Sequence, residues 1–484
     1  MHSDVLIVGA GSAGSALAER LSADGGCRVT VVESGPGPAD PRVLHQITDG
    51  LRLPVGSASS VVRRYSTTLT EVPKRYAELI RGAVVGGSGA VNGGYFCRAL
   101  PSDVDGWGLA GWSWTDVLPH FKAIENDIDF DNELHGSGGP ITVQRVAKFD
   151  GCTAAFVEAT RLMGFTWISD LNGSTSGRPL PAGVGAVPLN IQSGNRVGPG
   201  GAFLGPILHR RNLKVLTDTR ALRIEVAKGR ARAIDCTGAQ GRRVLTADRI
   251  VLCAGAIGSA HLLMLSGIGP ERELQAAGVA VRADLPVGID TVDHPEWLLP
   301  VNWAPSDGVP VLEAVLTTPD GLEIRPYTEG FGAMTGGRHE PPPDRPHIGV
   351  ALMRPRARGR VMLASADPDV APVIEHRYDS EPADVELLRT GTELAAEIAG
   401  SGVQTDASWA TSQHLCGSAR MGADGDPAAV VDTRCRVLGV DGLWVVDGSI
   451  LPAITSRGPH ATIVMMGHRA AEFITSVSSA PAGA

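Results

Sequence analysis

Aromatic residues make up only 5% of the 484-residue sequence. Stacking partners for any planar ligand must therefore come from few candidates. The seven cysteines (27, 97, 152, 236, 253, 416 and 435) are odd in number and scattered, with no CxxC pair. That argues against a disulfide framework or a zinc site and for a reducing compartment. No run of Lys or Arg stands out and the formal net charge is −9, so nothing suggests a nucleic-acid footprint. No uninterrupted apolar run approaches the ~18–20 residues that span a bilayer. The N-terminus has no basic region ahead of its first apolar run, and Arg63-Arg64 lies too far in to be a twin-arginine signal. The expectation is a soluble, cytoplasmic protein without a transmembrane segment, with peripheral contact at the inner face of the membrane left open.

What the sequence does have is glycine, 61 residues of it, and the first block is the most informative. An apolar run from Asp4 to Val8 ends in Gly9-Ala-Gly-Ser-Ala-Gly14. A helix-forming stretch to Leu21 follows, then a second β-rich run from Arg28 to Glu33. This reads as strand, tight turn, helix, strand. Gly9 permits the turn, Gly11 lets the backbone approach a pyrophosphate, and Gly14 lets helix and strand pack closely. The pyrophosphate would sit on N–H groups at the helix N-terminus, around Ser12 and Ala13. Glu33 closes the second strand 19 positions after Gly14. Its carboxylate can accept from the ribose hydroxyls of an adenine dinucleotide and discourages a 2′-phosphate, which favours FAD or NAD over NADP.

At this length two domains are the natural expectation. Residues 34–60 are rich in Gly, Pro and Ser and read as loop. Residues 81–94 hold a second glycine block that cannot be a stable helix interior. It supplies a backbone surface suited to a planar ring or a phosphate, with Ser88 and Asn92 as its polar side chains. Ser113 or Thr115 can cap a helix that runs to about Glu125. The three tryptophans at 107, 112 and 114 read as packing. Strand-like text from 212 to 252 suggests a meander inserted into the α/β unit. From 296 to about 400, Pro-rich turns such as Pro341–Pro343 alternate with short β runs at His347–Met353 and Gly359–Leu363. These point to an antiparallel sheet, the natural place for substrate contacts. Asp384–Ile398 reads as one amphipathic helix. The last 75 residues bring a strand ending in Asp447-Gly448 and a final helix entered through Gly458-Pro-His460.

Taken together, these blocks resemble the glucose–methanol–choline (GMC) oxidoreductases from residue 4 to about 475. The resemblance rests on GAGSAG with Glu33, GGSGAVNGG, AGAIGSAHLLMLSGIGP, HLCGSARMG and VVDGSILP…GPHATIVMM, in that order. It implies an α/β fold: a Rossmann-like FAD-binding domain (1–150, 195–295 and 425–484) with an inserted antiparallel-sheet substrate domain (151–194 and 296–424). It also implies FAD held by Gly9, Gly11, Ser12, Ala13, Gly14, Glu33, Gly87, Ser88, Asn92, Gly93, Ala221, Asp447, Gly448 and Ala461. The residue before Asn92, where some members attach the flavin through a histidine, is Val91, so the flavin should be non-covalent. Two further positions depart from the family pattern, Ala260 for proline and Asp290 for asparagine, while Asp293-His294-Pro295 matches.

The resemblance places His414 and His460 at the family's catalytic pair. Histidine titrates near neutrality and suits removal of a hydroxyl proton from a donor that gives hydride to a flavin. One ring would be the base, with family precedent favouring His414, and the other would hold the oxygen. His261 and His294 read as structural. A narrower resemblance, to the mycofactocin-associated branch in actinobacteria, rests on residues 89–101, 343–360 and 376–385 and the surroundings of His414 and His460. It implies reduced mycofactocin as donor and a non-oxygen acceptor linked to respiration. The alternative is an oxidase or dehydrogenase acting on a primary alcohol. The family also includes hydroxynitrile lyases, which keep FAD without using its redox chemistry.

Overall fold

A computed structural model describes residues 2–175, 182–336, 344–400 and 408–475. The Pro341–Pro343 turn lies outside them. The first sheet has the spatial order Leu213–Leu216, Val29–Val32, His2–Val8, Gly241–Leu252, Arg230–Gly238 and Thr219–Ala227, with Leu443–Val445 also on Gly241–Leu252. The first four and the last pair in parallel, and the meander pairs antiparallel. Leu6, Ile7, Val31, Ile250 and Val251 are fully buried, as expected where helices cover both faces of a parallel sheet.

Register decides where the chemistry goes. Val8 lies opposite Val32 and Leu252, Val32 opposite Leu216, and Leu252 opposite Val445. All the parallel strands therefore end on one edge, and Gly9, Glu33, Cys253 and Asp447 emerge there side by side. Ligands of open α/β sheets bind beyond these carboxyl ends.

The second sheet is antiparallel, in the order Ser408–Thr411, Pro295–Pro300, His347–Leu352, Leu322–Pro326, Ala314–Thr317 and Gly183–Ala186. One face packs Leu299, Ile324, Val350 and Leu352 against Leu388, Ala395 and Ile398 of the Pro382–Ala399 helix. The alternation of strand residues sends Glu296, Leu298 and Arg325 to the other face, towards a cavity. A third sheet joins the Val62–Glu71 and Lys74–Gly82 hairpin to Val373–Glu375 and Arg360–Met362.

Local expectations are met at several points. Ser113 caps the Trp114–Ile124 helix and accepts from Asp116 N–H in a capping box. Trp107, Trp112 and Trp114 are buried. Asp290 adopts φ +54°, a left-handed conformation that aspartate and asparagine tolerate better than most residues. One short helix, Leu44–Thr48, interrupts the stretch expected to be loop. Among the described residues no helix is long and apolar enough to cross a membrane.

The segment that carries Tyr95 is anchored by a buried ionic cluster. Arg98 pairs with Glu125 and donates to the Leu134 carbonyl at 2.7 Å. His135 stands 3.0 Å from Asp127, 3.4 Å from Glu125 and 2.8 Å from Asp170. Burial alone would lower the His135 pKa, but hydrogen bonds to Asp127, Asp170 and Glu125 outweigh it and push it up to about 10. A folded pKa above the unfolded value of about 6.5 gives stability that is full below the unfolded pKa and lost as pH rises through the folded one. The wild type should therefore lose thermal stability between about pH 7 and pH 11 more steeply than His135→Asn. Parallel melting curves for the two proteins over that range would contradict this assignment.

Candidate active site

A cavity of about 990 Å³ runs from the carboxyl edge of the first sheet to the open face of the second. Its wall includes Gly9, Gly11, Ser12, Ala13, Glu33, Gly87, Ser88, Asn92, Gly93, Ala221, Asp447, Gly448, His414 and His460. Two residues expected at the cofactor stand outside the wall. Gly14 faces the Gly9 carbonyl, where an added Cβ would come within 2.0 Å, so it serves packing. Ala461, the second residue of the His460–Thr475 helix, is wholly buried in the core.

At the sheet edge the glycines divide by role. Gly9 has φ +103°, and a Cβ there would sit 2.4 Å from the Cys253 carbonyl oxygen. At Gly11 an added Cβ would meet only ordinary contacts, 3.8 Å to Gly87 and 3.9 Å to Cys253. The protein itself makes no demand for glycine at 11, and the missing side chain keeps the cavity open. The Ser12–Leu21 helix begins there with no side-chain cap and no acid in its first turn. Its free N–H groups and dipole are left for an anion. Glu33 accepts from Ala10 N–H at 3.0 Å, Gly35 N–H at 2.8 Å and the Ser34 hydroxyl at 3.2 Å. A carboxylate has about four acceptor positions, so one remains for a ribose hydroxyl.

Asp447 and Asn92 act inside the protein. Asp447 accepts from Gly255 N–H (2.9 Å), the Ser259 hydroxyl (2.6 Å), Ser449 N–H (2.8 Å) and the Ser449 hydroxyl (2.5 Å). Its four acceptor positions are filled, and it fixes the turns at 255 and 448 that face the cavity. Asn92 Oδ1 accepts from Gly94 N–H at 3.0 Å, which turns its NH₂ group to His460 Nδ1 at 3.1 Å. Ser88 accepts from Gly82 N–H at 3.1 Å.

The histidines occupy the other end. His414 follows the Ser408–Thr411 strand, which pairs Thr411 with Pro295. The next bridge joins Cys416 to Val292. One strand thus spends five positions (411 to 416) where its partner spends three (295 to 292). The excess is a bulge with Gln413 at φ +65°, and it aims His414 into the cavity. His294 lies beneath it, Nδ1 to Nδ1 at 2.9 Å, and reaches the Thr455 carbonyl through Nε2 at 3.0 Å. Asp293 pins both backbones, accepting from His294 N–H at 2.8 Å and His414 N–H at 2.7 Å.

Burial lowers the pKa of all three rings. It takes His294 and His460 to about 4 and His414 well below the ordinary value, with nearby positive charge adding to each: Arg325 for His294, Arg196 for His460, and Arg325 and Arg81 for His414. The rings are neutral, so each carries one proton, and the hydrogen bonds locate it. A carbonyl only accepts, so His294 is protonated at Nε2 and accepts at Nδ1. His414 then donates from Nδ1, and its Nε2 is unprotonated. Asn92 donates to His460 Nδ1, so the His460 proton is on Nε2. That atom has no protein partner and lies against Gly89, where an added Cβ would approach it to 2.6 Å.

His294 read as structural in the sequence, and its contact with His414 is the main functional feature missed there. Tyr95, Glu296, Arg325 and Tyr327 were missed as well. All four line the cavity near His414, on strands or loops without a motif of their own. His261 lines the wall elsewhere, and its Nε2 lacks a partner.

Comparison with known proteins gives these features a setting. Two family models, both described as GMC oxidoreductase, match residues 3–296 and 355–467. A GMC-type oxidoreductase of Rhodococcus erythropolis is 40% identical over 98% of both chains. An oxygen-dependent choline dehydrogenase of Rhizobium johnstonii is 33% identical over 98% of this chain and 96% of its own. Among solved structures, pyridoxine 4-oxidase from Mesorbium loti superposes with a TM-score of 0.86 at 30% identity, covering 97% of this chain and 98% of that one. Formate oxidase shares the fold with a TM-score of 0.86 at 22% identity, covering 99% of this chain and 98% of that one.

The cofactor that goes with these relationships is FAD, and the residues fit it. The uncapped helix start would take the pyrophosphate, the free acceptor of Glu33 would take a ribose, and the glycine surface at 87–93 would leave room for a ring. Replacing Glu33 with alanine removes the acceptor of two loop N–H groups, each worth about 1–3 kcal/mol if left unsatisfied. Purified Glu33→Ala should carry less flavin per chain and melt earlier. Wild-type flavin content together with wild-type melting would contradict the role given to Glu33.

Proposed function

Because the chain belongs to the GMC oxidoreductase family, we propose that it oxidises a hydroxyl-bearing donor with FAD as the electron acceptor, His414 serving as the base and His460 as the hydrogen-bond donor to the oxygen. FAD, when bound, supplies the two-electron acceptor for the hydrogen on the carbinol carbon. The observation that carries the reading is the opposite protonation of the two rings. His414 Nε2 offers a lone pair to the donor's hydroxyl proton, and His460 Nε2–H, which is buried against Gly89 in this structure, would meet the oxygen on which charge develops once it comes clear of Gly89. A carbonyl is left when the carbon-bound hydrogen departs as hydride and the hydroxyl proton moves to His414. A general base of this kind contributes about 10²–10⁴-fold. His294 holds the His414 tautomer and spreads the charge when His414 becomes cationic. Val91, buried among Val43, Ile47, Val61 and Val84, offers no attachment point, so the flavin is held non-covalently.

The donor in the narrow reading is reduced mycofactocin, with electrons passing to a non-oxygen, respiratory acceptor. The sequence segments around residues 89–101, 343–360 and 376–385 support it. The alternative donor is a primary alcohol, supported by relatives named for choline and pyridoxine.

Anaerobic titration tests the reading. Reduced mycofactocin should bleach the flavin, and His414→Ala and His460→Ala should keep FAD while slowing bleaching by roughly 10²-fold or more. Bleaching by simple alcohols alone would remove mycofactocin and leave the histidine pair standing. Normal bleaching in both variants would overturn the pair, and a flavin that no donor bleaches would favour a lyase.

The pH dependence is specific. A base whose pKa lies well below the ordinary histidine value stays unprotonated at neutrality, so the rate of flavin reduction should be flat from about pH 6 to pH 9 and fall only in more acid solution. A tenfold loss centred near about pH 6.5 would show that His414 is not held in the neutral state.

A further inference from the structure

The cavity wall beside His414 is built from charges that are already matched. Glu296 and Arg325 face each other across the second sheet at 3.3 Å. Glu296 also accepts from the Tyr327 hydroxyl at 2.8 Å and the Ser412 hydroxyl at 2.7 Å. Behind them, Glu323 pairs with Arg325 at 2.7 Å and Arg457 at 3.2 Å and accepts from the Tyr95 hydroxyl at 2.7 Å. These four charged residues are at most 5% exposed. Two carboxylates meet two guanidiniums, so the network sums to zero. Arg81 also lines the cavity; it donates to the Ile80 carbonyl and Gln413 Oε1, and the buried Asp293 carboxylate is the opposite charge acting on it. With Asp293 set against Arg81, this part of the wall is close to neutral.

Choline, the substrate named for several relatives, is a permanent cation. Bringing a cation out of water into a closed site costs several kcal/mol unless an unmatched carboxylate or an aromatic face receives it. The carboxylate that fronts this wall, Glu296, is matched and hydrogen-bonded at both oxygens. Of the aromatic rings on this side of the wall, Tyr327 is engaged with Phe331, and Trp409 with Tyr378 and Trp297, and what the wall does offer are phenol oxygens. Tyr95 and Tyr327 give their protons to Glu323 and Glu296, so their oxygens retain only acceptor capacity.

We infer that the donor is electrically neutral and carries further hydroxyl or N–H groups that Tyr95 and Tyr327 accept, and that quaternary ammonium alcohols are rejected by the Glu296–Arg325 pair. This rests on the oxidation of a hydroxyl-bearing donor and specifies the charge of that donor.

The test uses the FAD-loaded enzyme and an isosteric pair, choline and 3,3-dimethylbutan-1-ol. Binding is read from the absorbance of the oxidised flavin, so the outcome does not depend on turnover. The neutral alcohol should bind at least tenfold more tightly than choline. Arg325→Met, which frees Glu296, should shift the preference at least tenfold towards choline, and adding Glu296→Gln should cancel that gain. Choline binding as tightly as its isostere in the wild type would overturn the inference, and so would failure of the neutral isostere to bind. Should Arg325→Met not fold, the wild-type comparison decides alone. Absence of bleaching by every donor is a separate result and bears on the oxidation reading, not on the charge preference.

Discussion

Asp293 is the carboxylate on which the catalytic end depends. It is 3% exposed and accepts four hydrogen bonds, from the backbones of His294 and His414 and from the hydroxyls of Tyr378 and Thr411. Charge-assisted bonds of this kind are roughly twice as strong as neutral ones. They bring together a segment leading into the second sheet and a segment leaving it, more than a hundred residues apart. The bulge before His414 would have no fixed direction without such an anchor. Removing the carboxylate would leave buried N–H groups unsatisfied, so Asp293 serves stability and aim at the same time.

From that anchor the protonation states follow outward. Backbone groups with no choice of role, the Thr455 carbonyl and the Gly94 N–H, each act through one side chain, His294 and Asn92, on a ring in the cavity. One ring is left as acceptor and the other as donor. The scheme works because burial, helped by the positive charge of Arg325, Arg81 and Arg196, keeps all the rings neutral. The charge balance of the wall also bears on the donor. A wall whose carboxylates are spoken for favours a neutral alcohol over a cationic one, even though choline dehydrogenases are among the relatives.

Much of this was legible in the sequence. The glycine spacing, the strand before it and Glu33 after it gave the cofactor end, because each is a local demand of backbone geometry. The helix read over 384–398 from its periodicity is found at Pro382–Ala399, and the short β runs read at 347–353 and 359–363 are found as strands at His347–Leu352 and Arg360–Met362. Side-chain partnership was not readable. Asn92 and Asp447 have the chemistry of cofactor ligands, and what could not be read was that Asn92 also bonds Gly94 and His460 and that Asp447 is filled by the turns at 255 and 448. His294 looked like one buried histidine among thirteen because its two partners, His414 and Thr455, lie 120 and 161 positions away. Arg325 sits in an ordinary strand, and only the pairing of that strand through His347–Leu352 to Pro295–Pro300 brings it to Glu296.

The most direct measurement is neutron diffraction from a deuterium-exchanged crystal of the FAD-loaded enzyme near neutral pH. The account predicts deuterium on Nδ1 of His414, with its Nε2 bare, and on Nε2 of both His294 and His460. Deuterium on His414 Nε2, alone or together with Nδ1, would contradict the assignment of His414 as the base.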